Sequence, residues 1–149
     1  MKPLIVLISV FVLALLVLRI GFGDCNLALA ARIAMAAMLV FTAIGHFSFG
    51  KGMAMMLPAS VPFRTTIVYI TGVIEIAAAI GLVIPGFTTL TGWLLIVFFI
   101  LILPANISAA IRGIDYQKGT SDGPGLRYLW FRVPLQLLFI IWTYLSCLA

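Results

Sequence analysis

Five apolar runs, separated by short polar linkers or by glycine and proline, constrain this chain more than any single motif does. A run of about 20 residues crosses the ~30 Å hydrocarbon core of a bilayer as a helix, and only helices and closed barrels satisfy their backbone groups there. Hydrophobic residues fill 64% of the 149 positions and charged residues only 9%. A soluble domain would carry about a quarter charged residues, so the composition describes an integral membrane protein. The formal net charge of +5 reads as membrane topology and excludes a nucleic-acid footprint, because Lys and Arg gather at the ends of the apolar runs.

The first run, Leu4 to Leu18, lies between Lys2 and Arg19. It reads as a spanning helix, because Arg19 and Asp24 intervene before any small-residue cleavage site. GFGDCN, 21–26, then reads as a tight turn. The second helix is expected over Leu27 to Phe49, with Ala30, Ala34, Ala37, Phe41 and Gly45 as a close-packing stripe. FGKGMAMMLPASVPFR, 49–64, reads as a segment at the membrane surface, where Met53, Met55, Met56 and Leu57 either cover a cavity mouth or, as flexible Met side chains commonly do, fill the gaps of an interfacial turn. The third helix, Thr66 to Ile84, stops at Pro85-Gly86, and the fourth runs from Leu90 to Ile111. Arg112 to Arg127 is a hydrophilic loop, followed by a fifth helix, Tyr128 to Leu148, with Trp142 and Tyr144 as an interfacial belt. The expected organisation is all-α and polytopic: residues 1–26 form a transmembrane helix and turn, and residues 27–149 a four-helix membrane bundle. Five spans place Lys2, Lys51, Arg64, Arg112, Lys118 and Arg127 on one side, with Arg19 and, near its helix end, Arg32 on the other. The positive-inside rule then sets the amino terminus in and the carboxyl terminus out.

Against this apolar background the buried polar residues stand out. Glu75 lies in the middle of TGVIEIAAAIG, 71–81, where a carboxylate costs about 3 kcal/mol and therefore faces a bundle interior. Thr71, Gly72, Ala78 and Ala79 share its face and leave room for a partner, water or ligand. His46 follows Thr42 and Met35 on the second helix. Pro104 frees the carbonyl of Ile100 and, with Asn106, marks an opened and polar part of the fourth helix. Arg132 and Gln136 are one turn apart on the fifth. A rise of about 1.5 Å per residue sets Glu75 about 13 Å from Thr66, near the midplane, and His46, Asn106, Arg132 and Gln136 in the cytoplasmic third. These residues and Thr71 form a candidate polar or ligand-binding cluster. An ionised Glu75 is expected to pair with Arg132 and pin the bundle, whereas a neutral one beside a cavity would be functional. No residue is assigned a catalytic role. Cys25 and Cys147 both fall outside in this topology, as a disulfide or as reduced thiols. With one His and no paired-cysteine spacing the chain carries no metal or haem motif, and its cofactor is unassigned.

ARIAMAAMLVFTAIGHF, MLPASVP, TGVIEIAAAIGLVIPG, LPANISAA and RVPLQ, in this order and spacing, resemble the DoxX-like family of small bacterial membrane proteins over Ala31 to Trp142. The resemblance implies a compact four-helix bundle, here preceded by an extra helix, in the bacterial cytoplasmic (inner) membrane. Some relatives are linked to thiosulfate:quinone or methylamine oxidation systems or to membrane protein assembly. The paired cysteines of a thiol-redox member are missing from this sequence. The fold is also similar to the sterol-isomerase (EXPERA) group, whose intramembrane acidic residues bind cationic or lipidic ligands. The expected role is an accessory or small-ligand-binding subunit of a membrane redox or assembly system. Its partners would be the lipid bilayer, a membrane oxidoreductase or other membrane protein, and a lipidic small molecule. Two alternatives stand beside it: a membrane enzyme acting on a lipidic or quinone-like substrate by acid/base chemistry at Glu75 and His46, and a small proton-coupled transporter with Glu75 as carrier.

Overall fold

The computed structural model describes residues 2–23 and 25–149. They form α1 (Lys2–Phe22), α2 (Leu27–Ser48), α3 (Gly50–Met56), α4 (Arg64–Val83), α5 (Thr88–Ile111) and α6 (Leu126–Cys147). All but α3 are long and apolar enough to cross a membrane, which makes five such helices. Asp24, in the turn expected over 21–26, lies outside the described residues. Asn26 ends that linker as the cap of α2, its Oδ1 accepting from the Leu29 N–H at 2.9 Å.

Residues 49–64 differ from expectation, since α3 occupies their first half. Lys, Ala and Met favour a helix between Phe49 and Pro58, and its seven residues are held by what they dock on. Arg112, which caps α5, donates through Nη2 to the carbonyls of Met56 at 2.6 Å and Leu57 at 3.2 Å. A cation thus satisfies the free carbonyls at the C-terminal end of α3, where the helix dipole favours it.

The bundle is built on α2, which packs against α1, α4 and α6, while α5 pairs mainly with α6. Ala30 and Ala34 are buried as the small-residue stripe requires, but Phe41 turns outward and the packed face continues through Met38, Leu39 and Ala43. Gly72 sets the approach of α4 to α2: a Cβ there would lie 2.9 Å from the Cβ of His46, closer than a side chain tolerates, so the bare backbone makes room for the imidazole. Leu7 docks α1 on a core that includes Met38, Leu39, Leu82, Leu95, Phe99 and Phe139. Trp142, near the end of α6, also joins helices. Its indole N–H donates to the Ala31 carbonyl at 3.0 Å and its ring meets Phe11 edge-on at 5.0 Å, so it locks α6 to α2 and α1, because a buried indole needs an acceptor. The exposed surface is apolar along every long helix, through side chains such as Ile20, Ile74, Leu101 and Ile141. Such a perimeter suits hydrocarbon rather than water.

Candidate functional site

Two helix pairs each contribute a polar wall. On the first, α4 presents Glu75 to α2 rather than to α6. Thr42 Oγ1 donates to Glu75 Oε2 at 3.0 Å, and His46 Nε2 stands 3.5 Å from Glu75 Oε1. Behind the imidazole, Nδ1 lies 2.9 Å from the Val68 carbonyl and 2.9 Å from Thr71 Oγ1, while Thr71 itself donates to that carbonyl at 2.7 Å. A carbonyl only accepts, so Nδ1 carries a proton and the threonine oxygen is its second acceptor. The neutral ring then turns the lone pair of Nε2 toward the acid. Nε2 and Oε1 meet favourably when one proton lies between them, either on a neutral acid facing a neutral ring or on an imidazolium facing a carboxylate. In both arrangements the pair is neutral overall.

On the second wall, α5 and α6 form a hydrogen-bonded chain. Arg132 donates from Nη1 to the Tyr128 hydroxyl at 3.0 Å and from Nη2 to Asn106 Oδ1 at 3.1 Å, with its guanidinium carbon 5.7 Å from the centre of the Tyr128 ring. Asn106 Nδ2 donates to Gln136 Oε1 at 3.4 Å, and Gln136 Nε2 to the Phe99 carbonyl at 2.7 Å. The amide thus meets the Phe99 carbonyl and not that of Ile100, the one Pro104 deprives of its helical donor. Pro104 lies inside a continuous α5, but Ile100 is 54% exposed whereas Phe99 is 3% exposed, so the carbonyl of the inward-facing residue is the one the amide meets.

The expected ion pair between Glu75 and Arg132 is not formed: His46 and Thr42 engage the acid, and Asn106 and Tyr128 engage the guanidinium. Charge complementarity suggested the pairing, but helix packing decides it. Because α4 lies on α2 and α6 on α5, the acid and the guanidinium each meet partners within their own pair.

Between the walls is a cavity of about 380 Å³, lined by Glu75, His46, Thr71, Asn106, Arg132 and Gln136 together with Thr42. All six residues singled out from the sequence therefore reach one space. Its remaining surface is largely apolar, from Leu39, Phe99, Ile102, Leu135 and Phe139. Met53 and Met56 of α3 also line it, which favours the cavity-mouth alternative over filling of a surface turn. Tyr116 from the loop after α5, and Lys2 at the start of α1, complete the lining. Gly52 lets α3 interlock with that loop, since a Cβ at this position would run into the Tyr116 carbonyl. Burial pushes the Tyr116 phenol above its ordinary value, so it stays neutral and able to donate at physiological pH.

Sequence reasoning missed Tyr116, Tyr128 and Lys2 as members of the site. Thr42 was visible, one turn before His46 on the same face, but Tyr116 sits in a hydrophilic loop with no periodic signal. The two cysteines are free, the second of the two alternatives left open by the sequence. Cys25 is exposed after α1, with Sγ 4.0 Å from Arg19 Nη1, whereas Cys147 is half-buried on α6, its Sγ 3.4 Å from Ser146 Oγ. Among the described residues no group of three His, Cys, Asp or Glu side chains lies where it could hold a metal ion.

No curated protein and no solved structure matches the chain. A family match covers residues 35–147, from the middle of α2 to the end of α6, so it takes in both polar walls and leaves α1 outside. On that match the chain belongs to the family described as Domain of unknown function (DUF8561).

Proposed function

We propose that this is a small-ligand-binding protein of the bacterial inner membrane, holding a lipidic molecule in the bundle cavity and serving a membrane redox or assembly system as an accessory subunit. The observation that carries the reading is the cavity itself. At about 380 Å³ it falls within the ~300–1,000 Å³ of small-molecule sites, and it has their usual chemistry of apolar walls with a few convergent polar groups. Glu75, Asn106 and Gln136 are nearly fully buried, a cost that an intramembrane bundle retains when those groups have work to do. The redox or assembly setting and the DoxX-like bundle rest on the sequence resemblance over Ala31 to Trp142. The orientation, amino terminus in the cytoplasm, rests on the basic residues from Lys2 to Arg127 that five spans bring to one side. In that orientation Lys2, Met53 and Tyr116 mark the cytoplasmic end of the cavity.

Native mass spectrometry of the protein ejected from its own membrane tests this reading. A bound mass of a few hundred daltons is expected, lost in Ala105→Phe, which fills the cavity while leaving every polar side chain in place. A bare polypeptide mass, or an adduct unaffected by that substitution, would contradict it.

The juxtaposition of His46 Nε2 and Glu75 Oε1 at 3.5 Å favours a second reading, in which the shared proton is passed to the bound molecule by Glu75 and His46 returns it. Ligand-induced thermal stabilisation should then change in both Glu75→Gln and His46→Ala. Stabilisation that survives both substitutions unchanged rules out the acid/base version and leaves the binding function standing.

A further inference from the structure

We propose that the ligand's head is an anion, a carboxylate on a single apolar chain, and that Arg132 is its counter-ion. This rests on the cavity being a ligand site. The inference follows from counting charge around that space. Its lining carries Lys2, Arg132, Glu75 and His46. With the Val68 carbonyl holding a proton on Nδ1, the facing Nε2 and Oε1 meet favourably only with one proton between them, and the Glu75 and His46 pair is then neutral. Arg132 is left uncompensated. Among the described residues no carboxylate lies within ion-pairing distance of it. Of the two acids in the neighbouring loop, Asp115 is engaged by the backbone N–H groups of Gln117 and Lys118 at 3.0 and 3.2 Å, and Asp122 accepts from the Thr120 hydroxyl.

The two partners of Arg132 are neutral, a phenol and an amide oxygen. They use two of the five N–H donors of a guanidinium and leave three for a further acceptor. A cation half-buried in a membrane bundle without a counter-ion is costly, and an anion that enters offsets the cost with charge-assisted hydrogen bonds. Lys2, at the cavity's end, adds attraction of the same sign at the entrance. Phe99, Ile102, Leu135 and Phe139 provide an apolar surface beyond the head. About 380 Å³ is at the small end of ligand sites, the scale of one acyl chain and not of a two-chain phospholipid.

The test uses the full chain in phosphatidylcholine nanodiscs, titrated with decanoate, decanol and decyltrimethylammonium, which share a chain and differ in head charge. Decanoate should bind at least tenfold more tightly than decanol and the cation least, and Arg132→Gln should reduce the decanoate preference to less than twofold while Arg132→Lys retains most of it. Equal binding of decanoate and decanol, or a preference that Arg132→Gln leaves intact, overturns the assignment of the head but not of the cavity. Failure of all three to bind overturns the ligand-site reading as well. A thermal stabilisation on exchanging phosphatidylcholine for phosphatidylglycerol that depends on Arg132, with no response to decanoate, would give the anion to a phospholipid head and overturn the single-chain assignment. Should Arg132→Gln fail to fold, the three-ligand comparison on the unmodified chain still decides between the outcomes.

Discussion

The two walls of the cavity solve the same problem in opposite ways. On the α2 and α4 side, Thr42, His46, Thr71 and Glu75 bond to one another and to the Val68 carbonyl, so an acid and a base cancel within one closed group. On the α5 and α6 side, Tyr128, Arg132, Asn106 and Gln136 form an open chain that ends on the Phe99 carbonyl and carries a charge nothing on that wall balances. A self-neutralised wall stabilises the bundle. A wall with a spare charge is stable in hydrocarbon only with something to meet it, which is why function is sought at Arg132 and architecture, or proton transfer, at Glu75.

Breaking the closed wall should therefore cost the most. His46→Ala leaves the buried Glu75 with Thr42 alone, and loss of about 3 kcal/mol is expected in reversible unfolding from mixed micelles, the usual penalty for removing one partner of a buried pair. Gly72→Leu attacks the same wall sterically, since even a Cβ there presses on His46. Overpacking of this kind should cost about 2 kcal/mol and separate α4 from α2, an effect that distance measurements between spin labels on the two helices would report. On the open wall, Gln136→Leu removes the bonds to Phe99 and Asn106 but also removes a buried amide. A loss of about 1 kcal/mol is expected, in keeping with interhelical hydrogen bonds in membranes. The smallest change belongs to Arg132→Gln without ligand. It loses two hydrogen bonds to neutral partners and relieves an unpaired cation, so stability should stay within about 0.5 kcal/mol. If Arg132→Gln proves as damaging as His46→Ala, the contrast between the walls fails.

Much of this arrangement was legible in the sequence, because charged and amide side chains inside apolar runs are costly wherever the run sits. Glu75, His46, Asn106, Arg132 and Gln136 stood out for that reason, and all of them line one cavity. Their partners were not legible. The order of helices in space pairs α4 with α2 and α6 with α5, and a linear sequence with one midplane acid and one arginine within side-chain reach of its depth invites the wrong match. The seven-residue α3 is too short to display a helical period, so both readings of its Met side chains stay open until Arg112 and Gly52 are seen to hold it over the cavity. The contact of Trp142 was not legible either: a tryptophan near the end of a spanning run usually marks an interface, and only helix packing brings the Ala31 carbonyl within its reach.

The most direct test of the two-wall arrangement is an experimental density map of the protein extracted with its native lipids, read at the space between Glu75 and Arg132. The arrangement requires elongated density there, with its polar end at the Arg132 guanidinium and Glu75 still facing His46 and Thr42. A dry interior in which Arg132 closes directly onto Glu75 would contradict it, and would make both residues pins of the bundle.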